Sequence, residues 1–144
     1  MMYKTIEMVL GSTVSFAIGK GFEQIFGHKE HELVEKADAA TARAVHVFFD
    51  KYKGVYGKES ESFLARKENW DAIIDSLLLG TPTLDAGKIN PNGYGDSASA
   101  TPEAVEFFLA TLMSEMRKDI DLERALSETL FFLIFCNLFY FKEV

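Results

Sequence analysis

The stretch Leu130–Phe141, LFFLIFCNLFYF, constrains this chain more than any other. It holds twelve residues without a formal charge, and five of them are Phe. A surface helix carries one apolar stripe, whereas here apolar side chains would point in every direction around the axis. Such a segment must be covered on all sides. The cover is the rest of the chain, a second copy, a continuation of the polypeptide, or lipid. The run falls short of the ~18–20 apolar residues of a membrane span, which weighs against lipid as the cover.

The rest of the composition allows an internal cover. A chain of 144 residues is the size of one domain, and at that size it buries enough surface for a core without disulfides. Hydrophobic residues make up 48% of it, too many for an intrinsically disordered chain. Net charge is −7, which excludes the basic footprint of a nucleic-acid binder. The segment from Pro102 to Val144 has eight acidic and four basic residues, so the half that holds the greasiest run also carries an acidic coat. The one cysteine, Cys136, lies within that run and reads as a small buried hydrophobe. With no disulfide framework, the expected home is the cytoplasm. At the amino terminus, Lys4 precedes an apolar stretch, but Glu7 interrupts the basic region and no small-x-small cleavage site follows a long enough apolar core. That stretch is therefore expected to be a helix and not a leader.

Hydrophobic spacing predicts five helices and no strand. The first runs Met1–Phe26, with Met8, Gly11, Ser15, Ile18, Phe22 and Ile25 on one stripe and Leu10, Val14, Ala17 and Gly21 on its neighbour. Gly11, Ser15 and Gly19 lie four apart, the spacing that opens a shallow groove for another helix. Each interior Gly costs about 1 kcal/mol relative to Ala, so Gly11, Gly19 and Gly21 imply close packing, or a break near Gly19–Gly21. The second helix, His28–Tyr56, has an apolar stripe from Leu33 through Ala37, Ala40, Thr41, Ala44, Val45 and Phe48 to Tyr52, ended by Gly54 and Gly57. The third, Ser62–Leu79, sets Phe63, Trp70, Ile73, Ile74, Leu77 and Leu78 against a charged face, and Gly80 with Pro82 stops it. Thr81–Ala100, rich in Gly, Pro and Asn, is a long loop. Pro102 opens the fourth helix behind a Thr101 cap, with Val105, Phe108, Leu109, Leu112, Met113 and Met116 in one stripe. After a break at Asp119–Asp121, Asp121 is expected to cap a fifth helix from Leu122 to about Phe141.

Chemistry-bearing motifs are sparse. His28 and His31 share a helical face beside Glu30 and Glu32, but no carboxylate stands three residues before any of His28, His31 or His46, as the di-iron bundle motif requires. Gly19-Lys20-Gly21 and Gly87-Lys88-Ile89 lack the upstream glycine and the hydroxyl of a phosphate loop. Asn90-x-Asn92-Gly93 lacks the acid of a calcium loop two positions earlier and its closing glutamate. Cys136 has no neighbouring base, and no serine sits in a nucleophile elbow. No catalytic, cofactor or metal residue is therefore assigned, and no cofactor is implied.

Three segments carry a family resemblance: FFDKYKG at Phe48–Gly54, SFLARKENWDAIIDSLLLG at Ser62–Gly80, and VEFFLATLMSEMRKDIDLERAL at Val105–Leu126. Together, over about Ala37–Leu126, they resemble the amino-terminal helical domains of bacterial NACHT and related STAND-type NTPases. The resemblance implies an all-α domain that precedes a nucleotide-binding module and serves in signalling or assembly, often in defence against phage. This chain holds no nucleotide loop, so no functional residue carries over; it would be an excised domain or a stand-alone relative.

The expectation is thus a single all-α domain over residues 1–144, with the terminal run as a buried central rod wrapped by the four segments before it. The expected function is non-enzymatic interaction with a protein partner or with a second copy. Gly11, Ser15, Gly19, Phe139 and Tyr140 are the candidate contact residues. Two alternatives stand beside it: a membrane-active bundle using its first or last helix, and a small metal-binding or catalytic bundle using His28, His31 and nearby carboxylates.

Overall fold

The computed structural model describes residues 6, 10–27, 31–52, 63–78 and 102–128, without the side chains of 75–78 and of Pro102. The predicted loop Thr81–Ala100, the stops at Gly54, Gly57 and Gly80, the Thr101 cap, His28, and the terminal run with Cys136, Phe139 and Tyr140 lie outside the described residues. What is described is an all-α bundle: α1 (Ser12–Phe26), α2 (His31–Tyr52), a 3-10 turn (Phe63–Ala65), α3 (Lys67–Leu78), α4 (Pro102–Arg117) and α5 (residues 120–128). No strand occurs among the described residues.

Within this set the axis is α2. It packs most extensively against α4 and also against α1. A single stripe cannot serve two partners. The predicted stripe is buried at Ala37, Ala40, Thr41, Ala44, Val45 and Phe48, and a second strip, about a quarter-turn round, adds Val34, Asp38 and Ala42. Leu33, expected on the core stripe, is only partly buried, and Tyr52 packs at the core edge. The small side chains along the middle of α2 let two helices approach at once. The Thr41 hydroxyl, buried among them, donates to the Ala37 carbonyl at 2.8 Å and so leaves no unmet donor.

An aromatic cluster closes the far end of α2. Phe48 meets Phe63 of the 3-10 turn edge-on at 5.6 Å and Phe108 of α4 edge-on at 5.7 Å. Trp70 of α3 meets Phe108 edge-on at 5.6 Å. All four rings are fully buried. Each buries enough area to contribute roughly 1.5–3 kcal/mol, and edge-to-face geometry adds about 0.5–1.5 kcal/mol per pair. The indole N–H of Trp70 donates to the Leu64 carbonyl at 2.7 Å, and the Asn69 side-chain amide donates to the Phe63 carbonyl at 2.8 Å. These two bonds are why the expected helix Ser62–Leu79 is instead a 3-10 turn, a non-helical Arg66 and then α3. The Phe63 carbonyl also accepts the Arg66 backbone N–H at 3.3 Å, the bond that closes the 3-10 turn, so side chains of the next turn compete with a continuous helix for these carbonyls.

The first helix also departs from expectation. It is interrupted at Gly11, whose φ of 97° places it in the left-handed region, and it runs unbroken through Gly19–Gly21. Its buried edge is Val14, Ile18 and Phe22, four apart, which merges the two stripes read from the sequence. The three glycines do different work. A Cβ at Gly21 would fall on the Cδ1 of Ile74 in α3, so Gly21 is the close-approach position where α1 crosses α3. No described atom lies within 4 Å of a Cβ placed at Gly11 or Gly19.

This contrast sets a direct test. Gly19→Ala gains helix propensity and should raise stability by about 0.5–1 kcal/mol. Gly21→Ala must turn the Cδ1 end of Ile74 aside and should come out about 0.5–1.5 kcal/mol less stable than Gly19→Ala in a urea titration. Equal midpoints for the two variants would contradict the α1–α3 crossing.

Candidate functional site

Two surfaces hold groups that the core does not absorb. The first is the outer face of α1. Opposite Val14, Ile18 and Phe22 stand Ser12, Thr13, Phe16, Lys20 and Gln24, all exposed. Phe16 is 67% exposed, and Lys20 caps its ring with Nζ 5.6 Å from the centroid while pairing with Glu23 at 3.7 Å. Lys20 and Glu23 are the charges of α1, so this face is close to neutral in a chain of net charge −7. Of the candidate contact residues, Gly11 is exposed at the start of α1, and Ser15 and Gly19 are half-buried beside Phe16. Phe139 and Tyr140 cannot be placed against them, since both are outside the described residues.

The second surface is a polar seam joining α2 to α4 and α5. Glu115 of α4 is only 7% exposed. Its Oε1 accepts from Lys118 Nζ at 2.8 Å and its Oε2 from Arg43 Nε of α2 at 2.9 Å. The Lys118 hydrogen bond, then that of Arg43, holds the carboxyl below the usual range against the opposing effect of burial. One turn further on, Asp119 uses both oxygens. Oδ1 accepts the backbone N–H of Leu122 at 2.9 Å, and Oδ2 lies 3.3 Å from Lys36 Nζ of α2. The Leu122 N–H is the main reason the Asp119 carboxyl is also lowered. Asp119 therefore caps α5, and the sequence-based assignment of the cap to Asp121 is corrected. The two acids are two apart, and only the register of Leu122 tells which one is the cap. Asp121 sits in the first turn, where it faces Lys36 at 3.2 Å.

Of the buried polar side chains, Asn69, Thr41 and Glu115 make hydrogen bonds within the bundle, as does the cap Asp119. A pocket of ≈ 340 Å³ on α4 is lined by Ala110, Met113, Ser114, Arg117 and Lys118, and one of ≈ 250 Å³ between α2 and α5 includes Lys36, Asp121 and Arg124. No group of three or more metal-ligating side chains occurs among the described residues. His31 and His46 are both exposed, and His46 lies 3.6 Å from Asp50 on the same helix. No described helix is long and apolar enough to cross a membrane.

Sequence reasoning missed the seam because its partners are far apart in the chain. Arg43 and Glu115 are 72 residues apart, and Lys36 and Asp121 are 85. No short-range pattern signals such pairs. No family model, curated protein or solved structure matches the chain.

Because the folded carboxyl of Glu115 is lowered, its contribution to stability is present above the ordinary carboxylate range and is lost as pH falls through the folded value. Arg43 and Lys118 are both well exposed, so the pairs are partly screened. Glu115→Gln should cost about 1 kcal/mol at neutral pH, and the difference from the parent chain should close as pH drops below the carboxylate range. A cost that stays constant down to acid pH would contradict the charge-assisted geometry.

Proposed function

We propose that this chain is a non-enzymatic helical interaction and signalling domain that works through the outer face of α1, with a second copy or a partner protein packing onto Phe16. The observation that carries the reading is the 67% exposure of Phe16, a large aromatic side chain next to the small residues Gly19 and Ser15 on a helix face whose one ion pair, Lys20–Glu23, leaves it without net charge. Aromatic residues are enriched at protein interfaces, and charge is depleted at interface centres. A net charge of −7 repels copies of the chain from one another everywhere else, so the neutral face is the least costly place for two to meet.

The resemblance in Phe48–Gly54, Ser62–Gly80 and Val105–Leu126 gives this reading a setting. It is that of an amino-terminal module of a STAND-type, NACHT-like NTPase in bacterial defence, acting in the cytoplasm. A parent reading frame with a phosphate loop downstream supports that setting, and a frame without one removes it.

Sedimentation velocity of the purified chain over a wide concentration range tests the face itself. The parent chain should associate as concentration rises, and Phe16→Asp should stay monomeric with an unchanged melting temperature. Parent and variant sedimenting alike as monomers would refute self-association through α1, and leakage of lipid vesicles by the parent chain would favour the membrane-active alternative.

A further inference from the structure

The Lys36 amine is the meeting point of three carboxylates. Its Nζ lies 3.5 Å from Glu32 of its own helix, 3.3 Å from Asp119 at the α4–α5 corner and 3.2 Å from Asp121 in the first turn of α5. Glu32 is four residues earlier on α2, so that pair holds the lysine side chain in place along the helix. The two aspartates belong to the element that changes direction. Asp119 at the same time caps α5 through the Leu122 N–H. The corner itself is closed by weak backbone contacts, from Lys118 to the Glu115 carbonyl and from Asp119 to the Met116 carbonyl, both at 3.4 Å.

The apolar attachment of α5 is thin by comparison. Among its described residues Leu122 is fully buried, Ala125 and Leu126 are partly buried, and Ile120 is 69% exposed. An element with few buried contacts opens locally at much lower cost than the whole fold. Without the lysine, Glu32, Asp119 and Asp121 would be left as three neighbouring carboxylates of like charge. Arg124 and Glu128 line the same α2–α5 pocket.

We propose that Lys36 is an electrostatic clasp that sets the elbow between α4 and α5, so that α5 opens from and closes on the bundle as a unit separate from α2 and α4. The Phe-rich run follows α5 directly in sequence. The clasp does not depend on the α1 face being an interface.

Hydrogen exchange of the full chain at neutral pH, followed by mass spectrometry of peptides, tests it. Lys36→Met keeps the length of the side chain and removes its charge. It should speed exchange in residues 120–128 by roughly three- to tenfold and leave α2 and α4 unchanged. Lys36→Arg should exchange as the parent does. Asp119→Asn keeps an oxygen for the Leu122 N–H while removing one charge, and should give a smaller increase than Lys36→Met. An unchanged rate in residues 120–128 for Lys36→Met would overturn the clasp. So would equal acceleration in every helix, or a larger effect from Asp119→Asn than from Lys36→Met.

Discussion

The close packing of two helices on the alanine-rich middle of α2 is the constraint on which the described structure depends. Ala37, Ala40 and Ala44 are fully buried, and Ala42 nearly so. Larger side chains there would push α1 and α4 away and leave gaps elsewhere, because interiors pack at crystal-like density. Alanine also costs least in helix propensity, so one residue type serves both the helix and its two contacts. The bulk that α2 lacks in its middle is supplied at its end by Phe48, and across the contact by Phe108 and Leu112 of α4.

From that axis the remaining elements follow in order. Phe48 places Phe63 and Phe108 at right angles to itself, and Phe108 places Trp70. Trp70 and Asn69 then fix the 3-10 turn through its carbonyls. Along the opposite half of α2, polar side chains take over. Arg43 and Lys36 receive Glu115, Asp119 and Asp121, and so fix where α4 ends and how α5 begins. Apolar contacts supply most of the stability of such a bundle. The ion pairs, partly exposed, contribute less energy and more direction.

Much of this was legible in the sequence. The α4 stripe Val105, Phe108, Leu109, Leu112, Met113 and Met116 is buried throughout, because one apolar face against one groove is what a period of 3.6 encodes. The predicted core position of Trp70 also holds. The second strip of α2 was not legible: alanines and an aspartate do not mark a face by hydrophobicity. The break at Arg66 depends on Asn69 and Trp70 reaching back to carbonyls, which spacing does not reveal. Among the glycines of α1, spacing alone could not tell the left-handed Gly11 from the contact glycine Gly21 or the open Gly19. Of the candidate contact residues, the sequence named the small ones on α1 and passed over Phe16, whose place outside the stripe only became informative once the buried edge of α1 was known. The terminal run, expected to be the central rod, lies outside the described residues, and among those that are described the central position belongs to α2.

The most direct measurement of that central role is the denaturant stability of Ala44→Leu beside Ala39→Leu. Ala44 is fully enclosed and Ala39 is only partly buried on the same helix, and the two substitutions are chemically identical. If α2 is the axis, Ala44→Leu loses about 1–3 kcal/mol or more from overpacking, while Ala39→Leu changes stability by less than about 1 kcal/mol. Two variants equally as stable as the parent chain would mean that helices do not close on the middle of α2, and the account built on it would fail.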